Sequence, residues 1–502
     1  MPESLRALIV IIVLTTIFFA FAHRSVCIIL NTSDFTRRRN LWFALTLSAF
    51  LVYNFWLYTL IAIPLLIFAN RHETNPPALF FFVLLAIPIA EISIPGMGLI
   101  NYLFSVTHTR LLALFILLPA FMALQQRGDS YSFGSNWPDR ALAAYLILTA
   151  ILSLRETSLT DSLRQVLYLF IDIFLPYYVI SRTLKNLQAF RDALLSLVLA
   201  IMVLALLGIF ESYKHWLLYQ SLNDTLELGS EITVLIREGT LRATTSAGQT
   251  IVLGYLMVVG IGLFLYFQRS IEQRFIHILG MLLLLVGLVA TLSRGPWIGV
   301  AVLSIVYIAT GRQVARRLIS LALAALIALP LLTLLPGTER VINLLPFIGS
   351  TDKGNIEYRE KLIINSISVI QRNPWFGSDN YLGTPEMEAM RQGQGIVDIV
   401  NTYISVALKS GFVGLGLFLA FFILTLMGIY RAMRLIPDND SEVRLLGRIL
   451  LSTLVAILVI IATVSSISFI PIVYWSVAGL GVAYIQMVQR TLINDHGISF
   501  AG

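Results

Sequence analysis

VARRLISLALAALIALPLLTLL (residues 314–335) and TYISVALKSGFVGLGLFLAFFILTLMGIY (residues 402–430) are two apolar runs, and between them lies a polar run from Pro336 to Asp398. A helix needs about 20 apolar residues to cross the hydrocarbon core of a bilayer, so both flanking runs are long enough to span. The polar segment between them must then fold at one membrane surface. Connections longer than about a dozen residues are usually functional, and aromatics, arginines, carboxylates and glycines alternate along this one. The chemistry is expected there.

The rest of the chain reads as membrane around that segment. Of 502 residues, 57% are hydrophobic and only 13% charged, and the mean hydropathy is +0.83. Such a composition belongs to a multi-spanning membrane protein rather than a soluble domain. The net charge of +7 is no sign of a nucleic-acid partner, because the arginines sit in short clusters between apolar runs, as positive-inside anchoring requires. The single cysteine, Cys27, excludes an internal disulfide and any multi-cysteine metal site.

Apolar runs at 5–22, 41–69, 78–90, 111–126, 140–154, 162–181, 192–212, 246–268, 275–292, 296–310, 314–335, 402–430, 449–468 and 470–489 predict an all-α bundle of 12 to 14 spans. Leu5 to Ala22 is taken as a span, not a signal peptide. The runs at 78–90 and 296–310 are short enough to be tilted, re-entrant or broken. A single integral membrane domain is expected: N-terminal helices over 1–335, a large loop over 336–401, and C-terminal helices over 402–502. Basic loops at Arg182–Arg191, Arg269–Arg274, Gly311–Arg317 and Arg431–Arg448, with Arg490, are expected on the cytoplasmic side. The large loop, the 213–245 segment and the 291–296 turn then share the outer face. The same assignment puts Arg37, Arg38 and Arg39 outside, against the rule, and an even span count puts both chain ends on one side.

Several constellations at the outer face could carry chemistry. In Thr291-Leu-Ser-Arg-Gly-Pro-Trp-Ile-Gly299, Arg294 interrupts two apolar runs. It either snorkels to lipid phosphates or, with the N-terminus of the following helix, binds an anion. Arg242 precedes an earlier span through Thr244, Thr245 and Ser246; the segment either only packs against and caps that span or brings Arg242 to Arg294. Two converging guanidinium groups would make a diphosphate clamp. In the loop, Tyr358, Arg359 and Lys361 are followed by Ile363, Ile367 and Ile370, with Leu362 and Val369 on the same stripe. This predicts an amphipathic helix lying on the membrane and stopped by Asn373-Pro-Trp-Phe-Gly377. Arg359 and Lys361 are a phosphate site or a solvated patch. Asp398 precedes Asn401 and Tyr403 at the next span, where a carboxylate serves as general base or caps the helix.

Taken in order, these pieces resemble the O-antigen ligase and polysaccharide polymerase superfamily of bacterial envelopes. The resemblance rests on Ser293-Arg294-Gly295, Arg242, the outer loop with Arg359 and Asn373-Pro-Trp-Phe-Gly377, Asn401-Thr-Tyr403, and Lys409-Ser-Gly-Phe-Val-Gly414; it covers about residues 200 to 430. It implies a metal-independent, cofactor-free glycosyltransferase of the bacterial inner membrane. Such an enzyme takes glycans from an undecaprenyl diphosphate carrier at the periplasmic face. Ligases move a finished glycan to lipid A core; polymerases move a growing glycan onto the next lipid-linked repeat. By that analogy Arg294, Arg242 and Arg359, with Lys361 beside them, hold the diphosphate, while Tyr358, Asn401 and Tyr403 position the acceptor or the loop. A chain-length regulator and export machinery are the partners expected beyond substrate and lipid.

Ligases of the superfamily usually carry a histidine directly before the asparagine that matches Asn401, where this chain has Val400. Asp398 is the substitute base, with Glu211 and His215 at the outer end of an earlier span as rivals. The missing histidine favours a polymerase over a ligase. A lipid-linked oligosaccharide flippase or transporter is the alternative of another class, but the paired halves of such proteins are not evident here.

Overall fold

The computed structural model describes residues 1–89, 91–98, 101–128, 131–155, 158–226, 235–237, 239–268, 273–334, 353–391, 395–436 and 441–496. Parts of the expected outer loop, 335–352 and 392–394, and the basic cluster at 269–272 lie outside the described residues. The fold is a polytopic helical bundle. Among the described residues, eight helices are long and apolar enough to cross a bilayer, and three shorter apolar helices accompany them.

Helices α1 (Glu3–Ile29), α2 (Thr32–Leu51) and α3 (Phe55–Arg71) pack side by side. The apolar run at 41–69 is therefore not one span. It breaks at residues 52–54, where the Asn54 side chain accepts from the Trp56 and Leu57 N–H groups at 2.8 and 3.3 Å and starts a new helix. The run at 78–90 is helical only as α4 (Pro76–Val83). It leads into an antiparallel ribbon, β1 (Ile92–Pro95) with β2 (Tyr102–Val106).

Helix α5 (His108–Arg127) and helix α7 (Leu159–Thr183) flank α6 (Trp137–Ser153) in the chain. Each carries a π turn, Ala113–Leu117 and Leu169–Phe174, next to Pro119 and Pro176. Proline offers no N–H, so the ladder loosens there. Helix α8 (Leu187–Lys214), a short ribbon β3 (Ile236–Arg237) with β4 (Thr240–Leu241), and helices α9 (Thr250–Phe264), α10 (Arg274–Ala290), α11 (Arg294–Ala309) and α12 (Val314–Leu334) follow. The large loop contains α13 (Lys353–Arg372), and α14 (Thr402–Leu435), α15 (Ser441–Ile461) and α16 (Ile470–His496) complete the chain.

Helix α9 is the buried axis of the second half, touching α8, α10, α11 and α15. Small residues permit that closeness, as in membrane helix packing generally. A Cβ at Gly254 would lie 2.7 Å from Pro296 Cγ, so the glycine seats the first turn of α11 against α9.

Polar contacts at the helix ends define two faces. On one, Arg38 is fully buried and bonded to Glu73, Asp192 and Ser196, with Nη2 2.6 Å from Glu73 Oε1. Nearby, Arg191 pairs with Glu442 at 2.6 Å, and Gln188 donates to Ile29 O at 2.8 Å. Arg37 and Arg38 thus share a face with the 182–191 loop, and the expectation that this cluster lies across the membrane from it is corrected. The cause is the extra reversal at residues 52–54. On the other face, Trp216 Nε1 donates to Glu3 Oε1 at 3.0 Å. Helix α16 starts there, beside Ala247, and carries Arg490 in its last turns, over the Tyr131 ring. The first helix begins on the face opposite to that on which the last one ends, not on the same one.

Candidate active site

The second face gathers the reactive side chains, and its floor is the tight turn joining α10 to α11. Leu292 has a φ of +49°, which reverses the chain within three residues. The β3–β4 ribbon lies over this turn. Ala243 N–H donates to Ala290 O at 3.0 Å, Arg242 Nε donates to Thr291 O at 3.1 Å and its Nη2 to Ser293 Oγ at 2.8 Å, and Arg237 donates to Leu292 O at 2.8 Å. Burial, with the Arg237 charge close by, brings the Arg242 pKa down to about 10. Arg242 is therefore a partly dehydrated cation at neutral pH, and a poorly hydrated guanidinium gains more from an anion than a solvated one does. The half-buried Arg294 opens α11 immediately after Ser293. A helix N-terminus and a guanidinium at one point both favour negative charge.

A second turn, residues 462–469 between α15 and α16, closes over the first. Thr463 Oγ1 lies 2.9 Å from where a Gly295 Cβ would be, so only glycine beside Arg294 lets the two turns touch. The Thr463 carbonyl accepts from Arg359 Nη2 at 3.3 Å. Ser465 Oγ donates to Asp398 Oδ1 at 2.6 Å, and Ser468 Oγ donates to Ala247 O at 3.2 Å. Arg359 and Asp398 are thereby held close. Burial lowers the Arg359 pKa while the Asp398 charge opposes that shift.

The neighbouring residues from the sequence reading fix this arrangement. Tyr358 donates its hydroxyl to Asp398 O at 2.9 Å. Asn401 is the N-cap of α14, its Oδ1 accepting from the Tyr403 and Ile404 N–H groups at 2.9 and 3.2 Å. Thr402 Oγ1 donates to Val464 O at 2.9 Å, and Tyr403 OH donates to Leu458 O at 2.7 Å. Asn401 and Tyr403 are thus joints of the scaffold.

Two sequence motifs interlock behind the loop helix. Within α14, Gly411 has φ +65° and ψ −169°, a combination close to glycine-only, and the helix breaks there. The Pro374–Gly377 turn fills the break. Phe412 N–H donates to Pro374 O at 2.7 Å, Val413 N–H to Trp375 O at 3.1 Å, and Ser378 N–H to Leu408 O at 2.9 Å. Arg155, at the end of α6, donates to the carbonyls of Phe376, Gly377 and Lys409 at 3.0, 3.0 and 3.2 Å. The loop is therefore fastened to the membrane helices by main-chain groups and by the Arg155 guanidinium.

The loop also has a core of its own, formed by Leu362, Val369, Ile370, Met387, Met390, Ile399 and Leu408. The expected stripe is divided: Leu362, Val369 and Ile370 face this core, while Ile363 and Ile367 are exposed. The sequence reading merged two faces of one helix.

Three other expected residues lie apart from the two turns. Lys361 is exposed and paired with Glu357 at 2.7 Å, one helical turn away. His215 is exposed at the left-handed C-cap of α8. Glu211 is fully buried, and its carboxylate accepts from the N–H groups of Leu218, Thr244 and Thr245 at 2.9 to 3.0 Å. Its oxygens hold the turn that leads from Arg242 into α9. Thr463, Ser465, Ser466 and Ser468 escaped the sequence reading because short hydroxyl residues scarcely interrupt a hydropathy pattern; their signal is the clustering of three serines and a threonine within Thr463-Val-Ser-Ser-Ile-Ser468.

Residues 279–419 match the family model described as O-Antigen ligase. The matched segment contains Arg294, Arg359 and Asp398 but neither Arg242 nor the 462–469 turn. No curated protein matches the chain.

Proposed function

We propose that this chain, whose residues 279–419 match the O-antigen ligase family model, polymerises undecaprenyl-diphosphate-linked oligosaccharide repeats at the periplasmic face of the inner membrane. The observation that carries this reading is the convergence of Arg242, Arg294 and Arg359 on the 291–295 and 463–465 turns, with Asp398 on the same support. A diphosphate leaving group develops negative charge as the glycosidic bond breaks, and fixed guanidinium groups stabilise that charge. In the proposed step, the acceptor sugar hydroxyl attacks the anomeric carbon of the donor. Its proton passes to Asp398, a new C–O bond forms, the C–O bond to the diphosphate breaks, and undecaprenyl diphosphate departs.

The description of the matched family, O-Antigen ligase, favours a second reading, a ligase, for which the resemblance implies transfer of the finished glycan to lipid A core. Against it stands Val400, an apolar residue packed at the edge of the loop core, in the place where ligases carry histidine. Product length separates the two. The deletion strain is expected to lose the ladder of long glycans and to keep single repeats. A strain that still accumulates long carrier-linked polymer without attaching it would establish the ligase reading instead. Purified protein that moves labelled lipid-linked oligosaccharide across vesicles and forms no glycosidic bond would overturn both in favour of a flippase.

A further inference from the structure

The 462–469 turn does more than join two helices. Six consecutive residues, Thr463–Ser468, make five contacts that tie the turn to the supports of the site: Thr463 to Gly295 and Arg359, Val464 to Thr402, Ser465 to Asp398, and Ser468 to Ala247. Ser468 adopts a φ of +51°, rare for a residue with a side chain, and its hydroxyl bond to Ala247 O accompanies that conformation. Thr402 Oγ1 and Tyr474 OH lie 3.1 and 3.3 Å from Ser466 Oγ, which fixes the middle of the turn. The turn lies wholly outside residues 279–419.

We propose that Ser465 is the positioning residue of the acceptor-activating carboxylate, and that the Thr463 carbonyl holds Arg359 in register with it. This rests on the reading of Asp398 as the base. A carboxylate and a guanidinium left to themselves would close into a bidentate pair, which would neutralise both and spend the oxygen needed by the acceptor. The turn takes one donor of Arg359 on a carbonyl and occupies one oxygen of Asp398 with a hydroxyl. Among the described residues, Asp398 Oδ2 and the remaining donors of Arg359 make no hydrogen bond, which leaves the oxygen to receive the acceptor proton and the guanidinium to meet phosphate oxygens. Ser465 acts through Asp398, so its effect is felt through the rate of the chemical step and not through donor affinity.

The test uses full-length protein in nanodiscs and the undecaprenyl-diphosphate-linked oligosaccharide extracted from the native host's membranes. Ser465→Ala is expected to lower kcat at least about tenfold, the loss of one charge-assisted hydrogen bond, with KM for the lipid-linked donor within about twofold of wild type. Ser465→Thr keeps a hydroxyl and is expected to restore most of kcat. An unchanged kcat in Ser465→Ala, a loss confined to KM, or equal impairment in the alanine and threonine variants would each overturn the inference. Asp398→Asn, run beside them, separates the two levels. An inactive Asp398→Asn with a wild-type Ser465→Ala removes the inference alone, whereas full activity in Asp398→Asn removes the base assignment and the inference with it.

Discussion

Arg359 and Asp398, 39 positions apart, are held by two residues of the same turn, the guanidinium by Thr463 O at 3.3 Å and the carboxylate by Ser465 Oγ at 2.6 Å. The arrangement keeps opposite charges near each other without spending them on each other. If Arg359 and Arg294 hold a diphosphate, Arg359→Ala and Arg294→Ala are expected to cut polymer formation by at least about tenfold each, as for removal of a charge-assisted contact. Membrane abundance of both variants should match wild type on immunoblots. Arg294→Lys should also be poor, since an ammonium cannot reproduce a bidentate fork. Wild-type chain length in both alanine variants would dismiss the clamp.

Arg242 predicts a pH dependence. Its pKa of about 10 in the free protein should rise when a diphosphate binds, because an anion favours the protonated form. Binding then takes up a proton at pH values near and above 10. Donor affinity is expected to be flat with respect to Arg242 below about pH 9 and to fall as pH rises through 10, and Arg242→Ala should lose that part of the dependence while binding weakly throughout. Titration of donor binding from pH 7 to 10.5 in nanodiscs checks the sign; affinity that increases with pH would contradict it.

Gly411 and Gly416 offer a matched pair within one helix. A Cβ at Gly411 collides with the Trp375 main chain in a backbone region that disfavours side chains, while a Cβ at Gly416 meets nothing within 4 Å. Gly411→Ala is expected to destabilise by more than about 2 kcal/mol and to expose the loop to protease; Gly416→Ala should be close to neutral. Thermal melts in detergent with limited proteolysis would show equal behaviour only if the 374–377 turn does not seat in the break.

The opposite face provides a stability prediction with no bearing on catalysis. Arg38 is fully buried between Glu73 and Asp192. Arg38→Met leaves Asp192 without its cation and Glu73 with Arg37 alone, and breaking such a pair from one side costs about 3–5 kcal/mol. Little folded protein should be recovered. Removing the charges together, as in Arg38→Met with Glu73→Gln and Asp192→Asn, should restore a substantial part of the yield.

Glu211 and His215 separate scaffold from chemistry. Glu211→Gln removes the charge from a carboxylate that three backbone donors share and leaves at least one of them poorly satisfied, at about 1–3 kcal/mol. It should lower the melting temperature as well as activity. His215→Ala, at an exposed helix end, is expected to retain wild-type polymer. A pH–rate profile altered in His215→Ala would return that residue to the list of bases.

The architecture was legible in the sequence where a single residue type carried the signal. Apolar runs located most helices, and the order of Arg242, Arg294, Arg359 and Asp398 along the chain anticipated the elements that meet. What stayed hidden depended on juxtaposition. Residues 52–54 interrupt an apolar run with only one strongly polar side chain, so two helices read as one and Arg37 and Arg38 moved to the wrong face. Asn373-Pro-Trp-Phe-Gly377 and Lys409-Ser-Gly-Phe-Val-Gly414 are visible as motifs, yet their interlocking depends on carbonyl and amide groups that every residue has. The Thr463–Ser468 turn sits between two hydrophobic helices and changes the hydropathy too little to mark a boundary.

Fastening by carbonyls and amides has an evolutionary and engineering corollary. Because the clasp between the Pro374–Gly377 turn and the interrupted helix does not use the indole of Trp375 or the ring of Phe376, both of which are exposed, those two rings can be exchanged for other shapes without undoing the latch. The two glycines cannot. The periphery of the cap is thus free to be retailored while its hinge end stays where it is.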